Sequence, residues 1–406
     1  MMRVPAAAAA AAAAAVAALL AGCGSTPAPG HSTTAAAGIS GPALATTVVS
    51  PDGADWAIVD MGGSAAQYEN FWELFVRPSG TASWKLATPV GAASNGGLVA
   101  TAVGTGTLLS GFRPSQDLTF SPLASTADAG VQWSQNSVLD AGLADVPAAL
   151  AGNTGSGSSA GRVLALTDNG GVEVGASLGA SWTQLTTLRT LAATPAGRAC
   201  GLTSLTAAAW TPAGAPLVGG DCRSRGTTGI VTFSAGGWHQ AGPALPASLA
   251  SGPVSVIGLN TTGTHTTSVL AVGTGAATSV IAAWSVNGGR SWELSQPLRA
   301  GAGHGSAHAP SVSFGSDGSA SLVLPSGRGA TIGWQSPHWQ TLPTLPARTV
   351  TMASSTGTTS IPEAVAVSGG GTLSVWQLAP AAGTTSAGYW QLVQTVKVAI
   401  PYGSSS

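Results

Sequence analysis

Only 7% of the 406-residue chain is charged, so the placement of each charge is informative. Arg113, Arg223, Arg225 and Arg328 carry planar, permanently charged forks that match carboxylates. Asp168 and Asp221 are the acids that would balance or orient them. Brought together, these six would hold an anionic ligand; left apart, they are solvated loop charges. The five glutamates are Glu69, Glu73, Glu173, Glu293 and Glu363, and no pair stands out for two-carboxylate chemistry. The tyrosines available as nucleophiles are Tyr68, Tyr389 and Tyr402. His304 and His308 have ligand-like spacing but sit in a Gly/Ala loop without an evident third ligand, so no metal site is expected. No nucleophile elbow or phosphate-binding Lys loop stands out, and no cofactor is expected.

What positions these residues is a repeat. Trp84, Trp133, Trp182, Trp238, Trp292, Trp339 and Trp390 recur over six intervals from residue 84 to residue 390, a mean of 51 residues. An all-β unit of that length is a propeller blade. Each unit offers apolar, β-favouring runs separated by turn residues. In the fifth these are Pro253–Leu259, Thr267–Val272 and Ser279–Trp284, then the strand from Trp292; in the sixth, Ser311–Phe314, Ala320–Leu324 and Ala330–Trp334, then the strand from Trp339. Asn169-Gly170 between Arg162–Leu166 and Val172–Gly175 is a hairpin signal. No segment after the N-terminal apolar run shows a helical period. The expected fold is all-β: a single propeller over residues 44–402, of seven blades with four antiparallel strands each. The blades fall at about 44–91, 96–140, 144–187, 188–243, 252–298, 305–345 and 346–400. The first unit holds four strands by itself, and Val396–Ile400 is read as adding or exchanging one to close the ring.

The turn before the tryptophan carries a family resemblance. Ser285, Asn287, Gly289 and Trp292 fall as in the Asp-box, or BNR repeat, Ser-x-Asp-x-Gly-x-Ser/Thr-Trp, with Asn for Asp. Thr126, Asp128, Gly130 and Trp133 are similar, with Thr leading and Gln132 before the Trp. Gly175–Trp182 keeps only the Gly-x-Ser-Trp half. The chain thus resembles a divergent, sialidase-like propeller. The resemblance implies that the box joins the third and fourth strands of a blade, away from the active face, and shapes the fold. An Asp or Asn side chain closes such a turn by accepting backbone N–H groups, and Gly permits its left-handed step. The indole fills the gap between sheets and can donate to a backbone acceptor.

Ligands of propellers bind on the face formed by loops from the second to the third strand and by the loops between blades. Aligned on the tryptophans, the first set carries Asp60, Arg113, Asp117, Asp168, Asp221, Arg223, Arg225 and Arg328. The second adds Asp140, Asp145, Arg189, Arg299, His304, His308 and Arg348. The expectation is that arginines from several blades converge on one funnel. Sialidases use an arginine triad, a Tyr nucleophile assisted by Glu, and a Phe/Tyr-Arg-Ile-Pro motif; Phe112-Arg113-Pro114 lacks the intervening residue.

The N-terminus reads as a secretory signal over residues 1–22, with Arg3 ahead of an apolar run. Leu20-Ala21-Gly22-Cys23 resembles the bacterial lipobox, which implies that Cys23 is lipidated and anchors the protein at the outer face of the cytoplasmic membrane. Residues 23–43 read as a flexible tether. Cys200 and Cys222 remain as an even pair flanking Leu202–Trp210 and Pro216–Gly220; a cross-strand disulfide is expected, the alternative being two free buried thiols. A net charge of −1 excludes a strong field for nucleic acid. The expected function is binding or scaffolding by a monomer, toward a cell-envelope glycan or protein partner, without catalysis. The alternative is an exo-sialidase-like glycoside hydrolase, active or degenerate.

Overall fold

The computed structural model describes residues 46–61, 71–89, 97–113, 122–138, 147–155, 160–175, 182–274, 277–301, 310–354, 361–368, 371–380 and 388–398. The signal expected over residues 1–22, Cys23 and the tether expected over residues 23–43 lie outside these residues. The described chain forms seven consecutive groups of four antiparallel strands, a single β-propeller. The first strands are Thr46–Val49, Gly97–Gly104, Pro147–Gly152, Ala207–Trp210, Val254–Thr262, Ser311–Phe314 and Thr349–Ser354. First strands of successive blades lie against one another. The fourth strands, on the outside, are Lys85–Leu86, Ser134–Val138, Trp182–Thr187, Gly237–Gln240, Glu293–Leu294, Gln340–Thr341 and Tyr389–Lys397. The fifth blade adds Leu298–Gly301 beside its third strand. The fourth and fifth blades are also stitched edge to edge, where Asp221 and Cys222 pair with Ser255 and Val254.

Stacked sheets explain the apolar runs. In Val163–Thr167 every residue is buried, because both faces of the sheet are covered. Leu164 and Leu166 join the cluster shared with the fourth blade, and Val163 joins the one shared with the second. Each Val or Leu buried this way contributes about 1.5–3 kcal/mol.

The indoles tie neighbours together. Trp133 Nε1 donates to the carbonyl of Ala87 at 2.9 Å, Trp292 Nε1 to Ala241 at 2.7 Å, and Trp390 Nε1 to Pro343 at 3.3 Å. Each acceptor lies just past the fourth strand of the preceding blade. Trp339 packs into its interblade cluster without a partner for its indole N–H among the described residues.

The ring closes in the same way, and among the described residues no strand is exchanged between the first and last blades. Val396 and Lys397 belong to the fourth strand of the last blade, which corrects the expectation for the start of Val396–Ile400; residues 399 and 400 lie outside the described residues. The first blade already holds four strands, and its flank packs directly on the seventh. Ala57, Val59, Phe75 and Trp84 meet Ala353, Val365, Leu373 and Val375. Gln394 donates to the carbonyl of Trp84 at 2.6 Å and accepts from its backbone N–H at 2.7 Å. Trp84 Nε1 reaches Glu363 at 3.2 Å. Arg77 completes the seam: its guanidinium pairs with Asp55 in its own blade and with Glu363 Oε1, 2.6 Å away in the last. All three charges are buried.

Two short helices, α1 (Leu188–Ala192) and α2 (Pro195–Cys200), link the third and fourth blades. They correct the expectation of no helix; at five and six residues they are too short to show a period. Their ends are nevertheless written in the sequence. Thr187 and Thr194 cap the N-termini, Pro195 occupies the first turn of α2, and Gly201 ends it at φ 63°.

Candidate binding face

Among the described residues, the face made by the second-to-third strand turns and the interblade links is best built at the third and fourth blades. Leu188 and Leu191 of α1 and Ala196 and Cys200 of α2 are buried in one cluster with strands of both blades. The turn Thr167–Gly171 sits beneath α1: Leu188 N donates to Gly170 O at 2.7 Å. Asn169 Oδ1 closes that turn, accepting from Thr167 Oγ1 at 2.8 Å and from Gly171 N at 2.9 Å. This places Asp168 beside the start of α1.

The disulfide Cys200–Cys222, with Cα atoms 5.1 Å apart, fastens α2 to the second strand of the fourth blade. Its first arm is a helix end followed by an extended bend, and the β-hairpin proper pairs Ala207–Trp210 with Pro216–Leu217–Val218–Gly219. The loop after Cys222 is held by backbone bonds from Arg223 N to Gly201 O, 3.1 Å, and from Ser224 N to Cys200 O, 2.9 Å. Arg223 and Arg225 are exposed on this loop. Arg189 and Arg198 are exposed on the two helices, and Arg198 Nη1 also caps α1 by donating to Ala193 O at 2.6 Å. Asp221 turns inward, its Oδ2 accepting from Ser204 Oγ at 2.5 Å.

Of the six candidate ligand residues, four therefore gather at the third and fourth blades: Asp168, Asp221, Arg223 and Arg225. Arg328 is exposed on the corresponding turn of the sixth blade. Arg113 ends the second strand of the second blade; the position of its side chain lies outside the description. Among the described side chains, Arg223 and Arg225 on the fourth blade and Arg189 and Arg198 on the helices leading into it are exposed, Arg328 is exposed on the sixth blade, and the expected convergence with Arg113 lies outside the description. Arg198 was missed because it sits in an Ala/Gly/Thr stretch that reads as a plain interblade loop.

The remaining candidates separate. Phe112 is a core residue, edge-on to Trp133 at 6.0 Å. Tyr389 lies on the outermost strand of the last blade, 57% exposed, away from the channel mouth. Tyr68, Tyr402, Glu69, Asp117, Asp140, Asp145, His304 and His308 fall outside the described residues. Glu363 is spent on Arg77 and Trp84. Burial raises the Glu73 carboxyl, with a hydrogen bond from Thr88 opposing it. No cluster of three metal-ligating side chains occurs among the described residues.

On the opposite face, the two Trp-preceding turns join third and fourth strands. Gly130 N and Gly289 N donate to Thr126 Oγ1 and Ser285 Oγ, at 3.0 and 2.9 Å. Asp128 Oδ1 accepts from Gln132 N, and Asn287 Oδ1 from Ser291 N, both at 2.9 Å. Those bonds to backbone N–H and to Thr126 hold the Asp128 carboxyl below its ordinary range.

The chain matches no protein-family model and no curated protein. Among solved structures it is similar to YCF48 from Cyanidioschyzon merolae, with 14% identity, 81% of this chain and 94% of that one covered, and a TM-score of 0.47. It is similar to a mutant Aleuria aurantia lectin in complex with Fucα1-6GlcNAc, with 14% identity, coverage of 89% and 97%, and a TM-score of 0.43. It is also similar to Atg21 in complex with the coiled coil of Atg16, with 10% identity, coverage of 87% and 99%, and a TM-score of 0.49.

Proposed function

We propose that this chain is an exported lipoprotein whose divergent, Asp-box-bearing propeller is a binding or scaffold module for a glycan or protein partner of the cell envelope. Lipidated Cys23 holds it at the outer face of the cytoplasmic membrane, and residues 23–43 tether it. The observation that carries this reading is the face at the third and fourth blades. Exposed arginines stand there on helices and a loop that a disulfide and backbone bonds hold in place. Rigid presentation of this kind lowers the entropic cost of association.

The test uses the full chain immobilised through its C-terminus, exposed to envelope extract and to an array of envelope glycans, alongside a fluorogenic sialoside. Saturable retention of a glycan or protein without sialoside turnover is the expected result. Turnover abolished by Arg113→Ala would replace the binding reading with the hydrolase. Separately, Cys23→Ser is expected to move the protein from the membrane fraction to the soluble one.

A further inference from the structure

We infer that the basic surface formed by Arg189, Arg198, Arg223 and Arg225 is the docking site for an acidic polypeptide segment of a protein partner. This rests on the reading of the propeller as a binding module.

Charge is distributed unevenly around the ring. Among the described side chains that are exposed or half-buried, residues 46–175 carry four acidic and two basic ones, and residues 182–398 carry three acidic and nine basic. Within 182–252 the four arginines face a single acid, Asp221, which is held by Ser204. Asp168, on the adjoining turn of the third blade, marks the border of the acidic half. An acidic segment is therefore drawn to the half that carries the arginines, which orients the encounter.

The chemistry of the surface selects among polyanions. Guanidinium forks take carboxylates two bonds at a time. Sugar chains add stacking on exposed aromatic rings, and the surface has none among the described residues: Trp210 is buried, Trp238 is half-buried, and the exposed large hydrophobics, Leu86, Val131, Val286, Tyr389, Leu392 and Val393, all lie on other blades. An apolar anchor is likewise missing there, so recognition is by charge. The fixed backbone beneath the arginines supplies the register.

The test compares two probes with the same acid group on different backbones, poly-L-glutamate and polygalacturonate, binding to the full chain. Poly-L-glutamate should bind at low salt and weaken several-fold between about 50 and 200 mM salt. Arg223→Gln with Arg225→Gln should weaken it at least tenfold while melting and the disulfide stay unchanged. Arg290→Gln, on the opposite face, should leave it as it was. Polygalacturonate bound equally or better would overturn the inference in favour of an anionic glycan. Absence of poly-L-glutamate binding, or binding indifferent to the double substitution, would also overturn it. The two readings fail separately: an envelope partner still retained by the double variant leaves the propeller a binding module and removes this surface from its interface.

Discussion

Arg77 bridges Asp55 and Glu363 where all three side chains are buried. Removing one partner of such a group leaves uncompensated charge. Arg77→Met should cost about 3–5 kcal/mol in denaturant unfolding. Adding Asp55→Asn and Glu363→Gln to that variant should recover much of the loss, since the orphaned carboxylates are then gone. The same site sets a pH dependence. Burial pushes the Asp55 carboxyl up from 3.8 to about 6 against the opposing pull of Arg77, and burial raises Glu363 as well. A carboxyl whose pKa is higher folded than unfolded binds its proton more tightly in the folded state. Its contribution is complete below the unfolded pKa, near 4, and is lost as pH rises through about 6. For Asp55 this is on the order of 3 kcal/mol. Stability should therefore fall between pH 4 and pH 7, and Asp55→Asn should flatten the fall; a profile unchanged by that substitution would remove Asp55 from the account. None of this was legible in the sequence. Arg77 and Glu363 stand 286 residues apart, and lone charges on strand-like runs look like surface residues.

At the scale of elements, the two box-like turns form a natural comparison. Gly288 and Gly289 take φ of 70° and 89°, whereas the first turn holds Ala129 at 56° beside Gly130 at 78°. An L-residue with a Cβ is strained there. Ala129→Gly is expected to stabilise the protein by up to about 1 kcal/mol, seen as a raised melting temperature. Gly130→Ala should do the reverse and by more, because its Cβ would stand 2.8 Å from that of Ala87 on the preceding blade. These turns were readable because side-chain–backbone bonding depends on local spacing alone, and Ser/Thr-x-Asp/Asn-x-Gly preserves that spacing. The strand runs of the fifth and sixth units were readable for a similar reason, since burial on both faces leaves unbroken apolar stretches. Helices α1 and α2 escaped because two turns or fewer cannot display a period, even though Thr187, Thr194-Pro195 and Gly201 mark their limits.

For the whole molecule, the tryptophan period was the legible feature: seven of the thirteen tryptophans share one repeated task, packing into the seam with the preceding blade. The ring seam was not legible, because closure is a relation between the ends and no local pattern encodes it. A chain lacking residues 388–406 loses the outermost strand of the last blade, together with Gln394 and its two bonds to Trp84. Such a chain should melt at lower temperature and over a broader range than the full one, with dye-binding apolar surface below the transition. A sharp, unshifted transition would show that the seam adds nothing to cohesion.

The closure also fixes an order of events during biosynthesis. Ala57, Val59 and Phe75 emerge from the ribosome long before Val365, Leu373 and Val375 exist to cover them. At about 5–20 residues per second, the wait between Arg77 and Glu363 is on the order of 15–60 s. Throughout it the nascent polypeptide is an open arc with an oily flank, and Arg77 has only Asp55 of its own blade to pair with until Glu363 arrives with the final blade.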